Sequence, residues 1–72
     1  MDIENVAARL QEELSLVEIN FDKEVLSNYY YIGKKENNKI INLRYNTGGS
    51  VFVKVNHTWK PIKGLLITDT RK

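Results

Sequence analysis

The spacing of apolar residues in this 72-residue chain changes once, at Ser15, and this change limits the folds open to it. Before Ser15 the apolar residues recur at intervals of three and four, which places them on one stripe of a helix. They are Ile3, Val6, Ala7, Leu10 and Leu14. Asp2 is a suitable N-cap, and Glu4 favours the positive end of the helix dipole. The sequence therefore predicts a helix over residues 2–14.

After Ser15 the apolar residues alternate with polar ones, as in a half-buried strand. Val17, Ile19 and Phe21 form the first such segment, which residues 22–24 are expected to interrupt. Aromatic and β-branched residues predict a second strand over 29–32, followed by a polar loop over 33–38. Residues 25–28 fit either a helical turn or the start of the second strand.

The rest of the chain is typical of hairpins. Strands are predicted over 40–45, 50–55, 58–62 and 65–68, with turns at 46–49 and 56–57. Pro61 cannot donate a hydrogen bond to a neighbouring strand, so its strand lies at an edge or ends there. We expect one small α+β domain over residues 1–72, in which an N-terminal amphipathic helix packs on a bent antiparallel β-sheet of four or five strands. The alternative is a helix-capped SH3-like barrel, because small sheets often curl to remove their edges.

The length of the 46–49 turn decides which side chains share a face of the sheet. A three-residue loop pairs Asn46 with Ser50 and leaves Arg44 opposite Phe52, away from the core. A two-residue loop would bury Arg44 beside Val51, which is costly for a charge. The three-residue loop therefore predicts a core face formed by Ile41, Leu43, Tyr45, Val51, Val53 and Val55. One helix covers one side of a small sheet, so Phe52 either packs under another part of the chain or belongs to a binding surface.

The position of Trp59 depends in the same way on the 56–57 turn. Two turn residues place Trp59 beside Lys54 on the uncovered face, whereas three place it among the valines and direct Lys60 outward. We expect Trp59 in the core, because that arrangement avoids burying Lys60.

Charge is distributed unevenly along the sequence. Residues 1–24 carry seven acids and two bases, a net charge of −5, whereas residues 25–72 carry nine bases and two acids, a net charge of +7. The basic part also holds six of the seven aromatic residues. Bases interleaved with aromatics suit nucleic acid or an acidic protein surface as a partner.

The sequence offers little for catalysis. It has no cysteine and a single histidine, His57, which is expected at the tip of a turn. Its carboxylates lack the spacing of a metal site, and Gly48-Gly49 lacks the Lys-Ser/Thr that follows in a phosphate-binding loop. We expect neither enzymatic activity nor a cofactor or metal.

No apolar run approaches the length of a membrane span, and the N-terminus does not resemble a signal peptide. These features predict a cytoplasmic protein without a membrane partner. Abundant Asn, Ile and Lys favour an AT-rich source, either a low-GC microbe or one of its mobile elements, such as a phage. A chain this short has a small stability margin, so a homodimer and a marginally stable monomer are the alternatives.

We therefore predict a non-catalytic binding module that uses a basic, aromatic face of its sheet, and we favour nucleic acid as the partner. Lysine and arginine would contact phosphates, and Phe52 or Trp59 would stack on bases. The predicted contact residues are Lys34, Lys35, Arg44, Phe52, Lys54, Trp59, Lys60 and Lys63. The alternative is an inhibitor or regulator that docks an acidic partner protein.

Overall fold

A computed structural model of the protein describes residues 2–67. One helix precedes five strands: α1 (Ile3–Glu13), β1 (Glu18–Val25), β2 (Asn28–Lys34), β3 (Ile40–Asn46), β4 (Ser50–Val55) and β5 (Thr58–Leu66). The strands form one antiparallel sheet in the order β1-β2-β3-β4-β5. The predicted α+β fold is confirmed. The sheet is bent and open, since β1 and β5 are its edges and do not pair in the described part of the chain. The homodimer stays a prediction.

The helix forms as its sequence predicts. The Asp2 side chain accepts a hydrogen bond of 2.8 Å from the backbone N–H of Asn5, which satisfies one of the free donors at the helix start. Val6 and Leu10 are fully buried, and the rest of the stripe packs around them. The helix lies mainly over β1 and β2.

The first hairpin differs from its prediction. Residues 22–24 do not interrupt β1, which continues to Val25 through a bulge between Phe21 and Lys23. Leu26 and Ser27 then form a two-residue turn that pairs Val25 with Asn28. Three charged residues in a row resemble a loop, but an edge strand accepts them because one side of its backbone is open to water.

The central hairpin has the predicted register. Leu43 pairs with Val53, Arg44 with Phe52 and Tyr45 with Val51. The core assignment fails at one residue: Val55 is 40% exposed. It lies at the end of β4 farthest from the 47–49 loop, where the helix does not cover the sheet.

The two strands predicted over 58–62 and 65–68 are one edge strand with an irregularity. Phe52 pairs with Pro61 whereas Ser50 pairs with Leu66, so β5 holds extra residues opposite Val51. Gly64 lies in this segment with a φ of 79°, a conformation that glycine adopts without strain. The edge position predicted for Pro61 is confirmed, and Thr68 lies outside the described residues.

Two buried tyrosines connect the core to the start of α1 and to the residue that follows β5. The Tyr31 hydroxyl donates a hydrogen bond of 2.8 Å to the carbonyl oxygen of Ile3, and the Tyr45 hydroxyl donates one of 3.0 Å to that of Ile67. Burial raises the pKa of Tyr31 well above its ordinary value. The buried core of the described residues consists of Val6, Leu10, Leu16, Tyr31, Leu43, Tyr45, Val51 and Ile67. Within residues 2–67 no helix is both long and apolar enough to cross a membrane.

Candidate functional site

The face of the sheet that is turned away from the helix carries a row of paired residues from different strands. Tyr30 on β2 pairs with Arg44 on β3, and Arg44 pairs in turn with Phe52 on β4. Lys23 on β1 pairs with Tyr30 from the other side. Since successive side chains of a strand point to opposite faces, this row lies opposite the buried Tyr31 and Leu43.

Trp59 lies on this same face, so the expectation that it enters the core is wrong. Asn56 and His57 form a two-residue turn with left-handed φ values of 52° and 68°, as the type I′ hairpin turn requires. Lys54 therefore pairs with Trp59. Lys60 pairs with Val53 on the helix side and nevertheless remains exposed, because the helix does not reach that end of the sheet. The expected cost of burying Lys60 does not arise.

Six side chains from all five strands converge on the uncovered face, and we call them the outer cluster. They are Lys23, Tyr30, Arg44, Phe52, Lys54 and Trp59. The Arg44 guanidinium carbon lies 4.2 Å from the centre of the Phe52 ring and 5.3 Å from that of Trp59. Lys54 Nζ lies 5.8 Å from the Trp59 ring, and Lys23 Nζ lies 5.4 Å from the Tyr30 ring. Each cation therefore contacts the face of an aromatic ring, a favourable arrangement.

The sheet is bent enough for rings from distant strands to meet. Tyr30 and Trp59 are three strand intervals apart, about 14 Å in a flat sheet. Their ring centres are nevertheless 5.7 Å apart, in an edge-to-face contact. The outer cluster borders a trough of about 420 Å³ that extends from Asp22, Lys23 and Val25 on β1 to Trp59 on β5.

The cations of the outer cluster form no ion pair with the described part of the protein. Across residues 2–67, no carboxylate oxygen lies within 4.0 Å of a charged nitrogen of Lys23, Arg44 or Lys54; the ion pair in that range joins Arg9 to Glu13 on the helix. The Nε atom of Arg44 is buried without a hydrogen-bond partner, and its terminal nitrogens make no hydrogen bond with residues 2–67. The guanidinium is thus fixed by rings and keeps donors available for an anion.

The structure brings together four of the eight predicted contact residues: Arg44, Phe52, Lys54 and Trp59. Lys34 is on the same face but at the far end of β2, where it pairs with Glu18. Lys35 lies in the loop after β2, beside Leu14 and Ser15 at the end of the helix. Lys60 lies on the helix side of the sheet, and Lys63 is exposed in the irregular part of β5.

Sequence reasoning missed Tyr30 and Lys23. The three consecutive tyrosines predicted a strand, and the alternation within it was not assigned to faces because the preceding turn was ambiguous. A two-residue turn at Leu26 and Ser27 would by itself pair Phe21 with Ile32 and place Tyr30 on the core face, so the turn does not give the assignment without the bulge. The bulge at Asp22, which lets Phe21 pair with Tyr31 while Lys23 pairs with Tyr30, has no clear sequence signal.

Comparisons with protein-family models, with curated proteins and with solved structures give no match to this chain. The outer cluster combines cations with aromatic rings, groups that can make non-covalent contacts with an anion or with a planar ring. No three His, Asp or Glu side chains among residues 2–67 are grouped to hold a metal ion.

Proposed function

We propose that the outer cluster binds single-stranded nucleic acid. Arg44 and Lys54 contact phosphates, and Tyr30 and Trp59 stack on bases. The observation that carries this proposal is the Arg44 guanidinium, which lies against two aromatic rings and has no carboxylate partner in the described residues.

The position of Arg44 suits phosphate recognition. Its planar group can donate two parallel hydrogen bonds to one phosphate, and the rings of Phe52 and Trp59 limit its rotation. Contacts between cations and phosphates supply most of the affinity in binding that does not depend on sequence. Because Arg44 lies over the Phe52 ring, we now assign Phe52 to orienting the guanidinium rather than to stacking on a base.

The aromatic residues favour a single strand over a duplex. In a duplex the faces of the bases are stacked on one another, whereas in a single strand they are free to stack on protein rings. Trp59 and Tyr30 border an open trough. A base stacks on either ring in place of the flexible lysine side chain that lies over it, Lys23 at Tyr30 and Lys54 at Trp59.

The acidic N-terminal helix does not oppose this proposal. Its carboxylates are exposed on the side of the sheet that the helix covers, whereas the outer cluster lies on the other side. The sheet therefore separates these carboxylates from phosphates bound at the outer cluster, and dissolved salt screens the repulsion between them.

Trp59 provides the test, because it is the single tryptophan of the chain and lies within the proposed site. Its fluorescence is measured while an oligothymidylate of about 12 nucleotides is added at several salt concentrations. We expect quenching and an affinity that falls with salt. Arg44→Ala and Lys54→Ala should each weaken binding and reduce the salt slope by about 0.7, the value for one phosphate contact on a single strand.

Lys60→Ala is the matched control, since it removes the same charge from the helix side of the sheet. It should leave the affinity and the salt slope close to those of the natural protein. Absence of binding to DNA and RNA oligonucleotides at about 50 mM salt and about 100 µM protein would overturn the proposal.

A second candidate function is that of an inhibitor or regulator whose outer cluster docks an acidic protein. The observation in its favour is Leu26, which is 89% exposed at the tip of the first hairpin. An exposed apolar side chain at the tip of a hairpin suits a protein interface better than a phosphate backbone. Reversing the charge at Arg44 and replacing Leu26 by Asn should then each abolish capture of one acidic protein, while Leu26→Asn should leave oligonucleotide binding unchanged.

A further inference from the structure

The trough beside the outer cluster contains polar groups that phosphate binding does not use. Asp22 lines it at the β1 end and Asn42 lines it near the middle. Neither side chain has a hydrogen bond or an ion pair with any of residues 2–67. Both are therefore available to a ligand in the trough.

The bulge in β1 is the reason that a carboxylate lies there. Phe21 pairs with Tyr31 and Lys23 pairs with Tyr30, so Asp22 is the additional residue between two successive pairs. Such bulges often direct a side chain toward a functional site. Lys23 Nζ lies against the Tyr30 ring and does not pair with Asp22, so the Asp22 carboxylate has no cationic partner among residues 2–67.

Electrostatics then divides the trough into two parts. A carboxylate repels phosphate, so the backbone of a bound strand belongs near Arg44 and Lys54, and a base belongs near Asp22 and Tyr30. An ionised carboxylate only accepts hydrogen bonds, through two oxygens. It therefore selects a base with two neighbouring donors on its pairing edge.

Guanine is the base with that pattern. Its N1–H and N2 amino group are adjacent donors that can bond to both oxygens of one carboxylate. Thymine and uracil present one N–H between two carbonyl oxygens, which the carboxylate repels. Adenine and cytosine present an amino group beside an acceptor nitrogen, so only one hydrogen bond forms.

We propose that the trough is a nucleobase site in which Asp22 selects guanine, with Tyr30 as the stacking surface and Arg44 and Lys54 holding the flanking phosphates. This proposal rests on the proposed function, because it specifies the ligand of the same surface. Asn42 can both donate and accept hydrogen bonds, so it contacts the base without discriminating among bases.

The test uses the full chain and oligothymidylates of about 11 nucleotides in which the central base is thymine, adenine, cytosine, guanine or hypoxanthine. A single guanine avoids the four-stranded structures of guanine-rich DNA. Binding is followed by the fluorescence of Trp59. We expect the guanine oligonucleotide to bind about tenfold more tightly than the others, as one bidentate contact provides. Hypoxanthine lacks the N2 amino group and should lose most of that preference.

Asp22→Ala should remove the preference for guanine while the affinity for oligothymidylate stays equal or rises, because a repulsive charge is lost. This combination distinguishes base recognition from damage to the fold, which would weaken all binding. Glu24→Ala is the matched control: it removes the same charge two residues away, at a position paired with Tyr29 and therefore on the helix side. It should leave the ratio between guanine and thymine unchanged.

Equal affinity for all five oligonucleotides would overturn the guanine proposal and leave the proposed function intact. A guanine preference that persists in Asp22→Ala would also overturn it, since another group would then be the source. If none of the oligonucleotides binds, the proposed function itself fails, and this proposal fails with it.

Discussion

Arg44 and Phe52 are direct cross-strand partners, and the guanidinium carbon of Arg44 lies 4.2 Å from the centre of the Phe52 ring. The contact with the ring is favourable, but the buried Nε of Arg44 has no hydrogen-bond partner, which is costly. These two effects oppose each other. An arginine whose two effects on folding oppose each other, and whose charge has no carboxylate partner among residues 2–67, is consistent with the proposed role in binding rather than with a role in folding alone.

Arg44→Met separates the two roles. Methionine keeps an apolar contact with both rings and removes the unpaired donor, so we expect the free energy of unfolding to change by less than about 1 kcal/mol. Oligonucleotide binding should nevertheless weaken strongly. Urea unfolding and fluorescence titration of the same samples check both expectations. A large loss of stability without loss of binding would show that Arg44 is structural.

The hydrogen bond from Tyr31 to Ile3 ties the start of the helix to the centre of the sheet. Tyr31→Phe removes only the hydroxyl and should lower the free energy of unfolding by about 1 kcal/mol. Tyr30→Phe is the matched control, since the Tyr30 hydroxyl has no hydrogen bond among the described residues and the same change should cost much less. Equal urea midpoints for the two variants would contradict this role of Tyr31.

Stability should fall in strong alkali because of the same tyrosine. Burial raises the pKa of Tyr31 above the value of about 10 for an exposed tyrosine. Above pH 10 the unfolded chain loses this proton while the folded protein retains it, so rising pH favours unfolding. The stabilisation is fully present below pH 10 and decreases above it.

Urea midpoints measured between about pH 9 and about pH 11 test this expectation. The decrease should be smaller in Tyr31→Phe, which lacks the titrating group. An identical decrease in Tyr31→Phe and in the natural protein would assign the effect to other groups.

Leu10 is fully buried in the middle of the helical stripe. Leu10→Ala should destabilise the protein by about 2–5 kcal/mol, because it removes buried apolar surface and leaves a cavity. For a chain of this size that loss is a large part of the total stability. A urea-midpoint change equivalent to less than about 1 kcal/mol would show that the helix contributes little through this stripe.

The sequence predicted the parts of the fold in which burial dictates the pattern. The helix follows from its apolar stripe, and the register of the central hairpin follows from the cost of burying Arg44. The prediction for Trp59 failed because it assumed that the helix covers the whole inner face, whereas Lys60 and Val55 lie beyond the helix and remain exposed. How far a helix extends over a sheet depends on tertiary packing, which the local pattern does not encode.

Four of the eight predicted contact residues belong to the outer cluster, and the other two members of the cluster were missed because their positions depend on tertiary structure. Arg44, Phe52 and Lys54 share a face because strand alternation places them there, and this follows from the sequence once the turn length is known. Tyr30 joins them through its pairing with Arg44 across β2 and β3, and the register of the first hairpin adds Lys23. That hairpin turns at Leu26 and Ser27, which lack the Asn, Asp or Gly typical of such turns.

The turn at Leu26 holds a backbone strain that a substitution can relieve. Leu26 has a left-handed φ of 55° and is 89% exposed, so its side chain strains the backbone and buries almost no surface. Asparagine adopts this conformation at lower cost, so Leu26→Asn should raise the free energy of unfolding by about 0.5–1 kcal/mol. Leu26→Ala is the control, since it shortens the side chain and keeps the left-handed strain, and it should leave stability nearly unchanged. Urea unfolding of the two variants decides the matter: a destabilised Leu26→Asn protein would mean that the leucine side chain makes a contact that stabilises the hairpin.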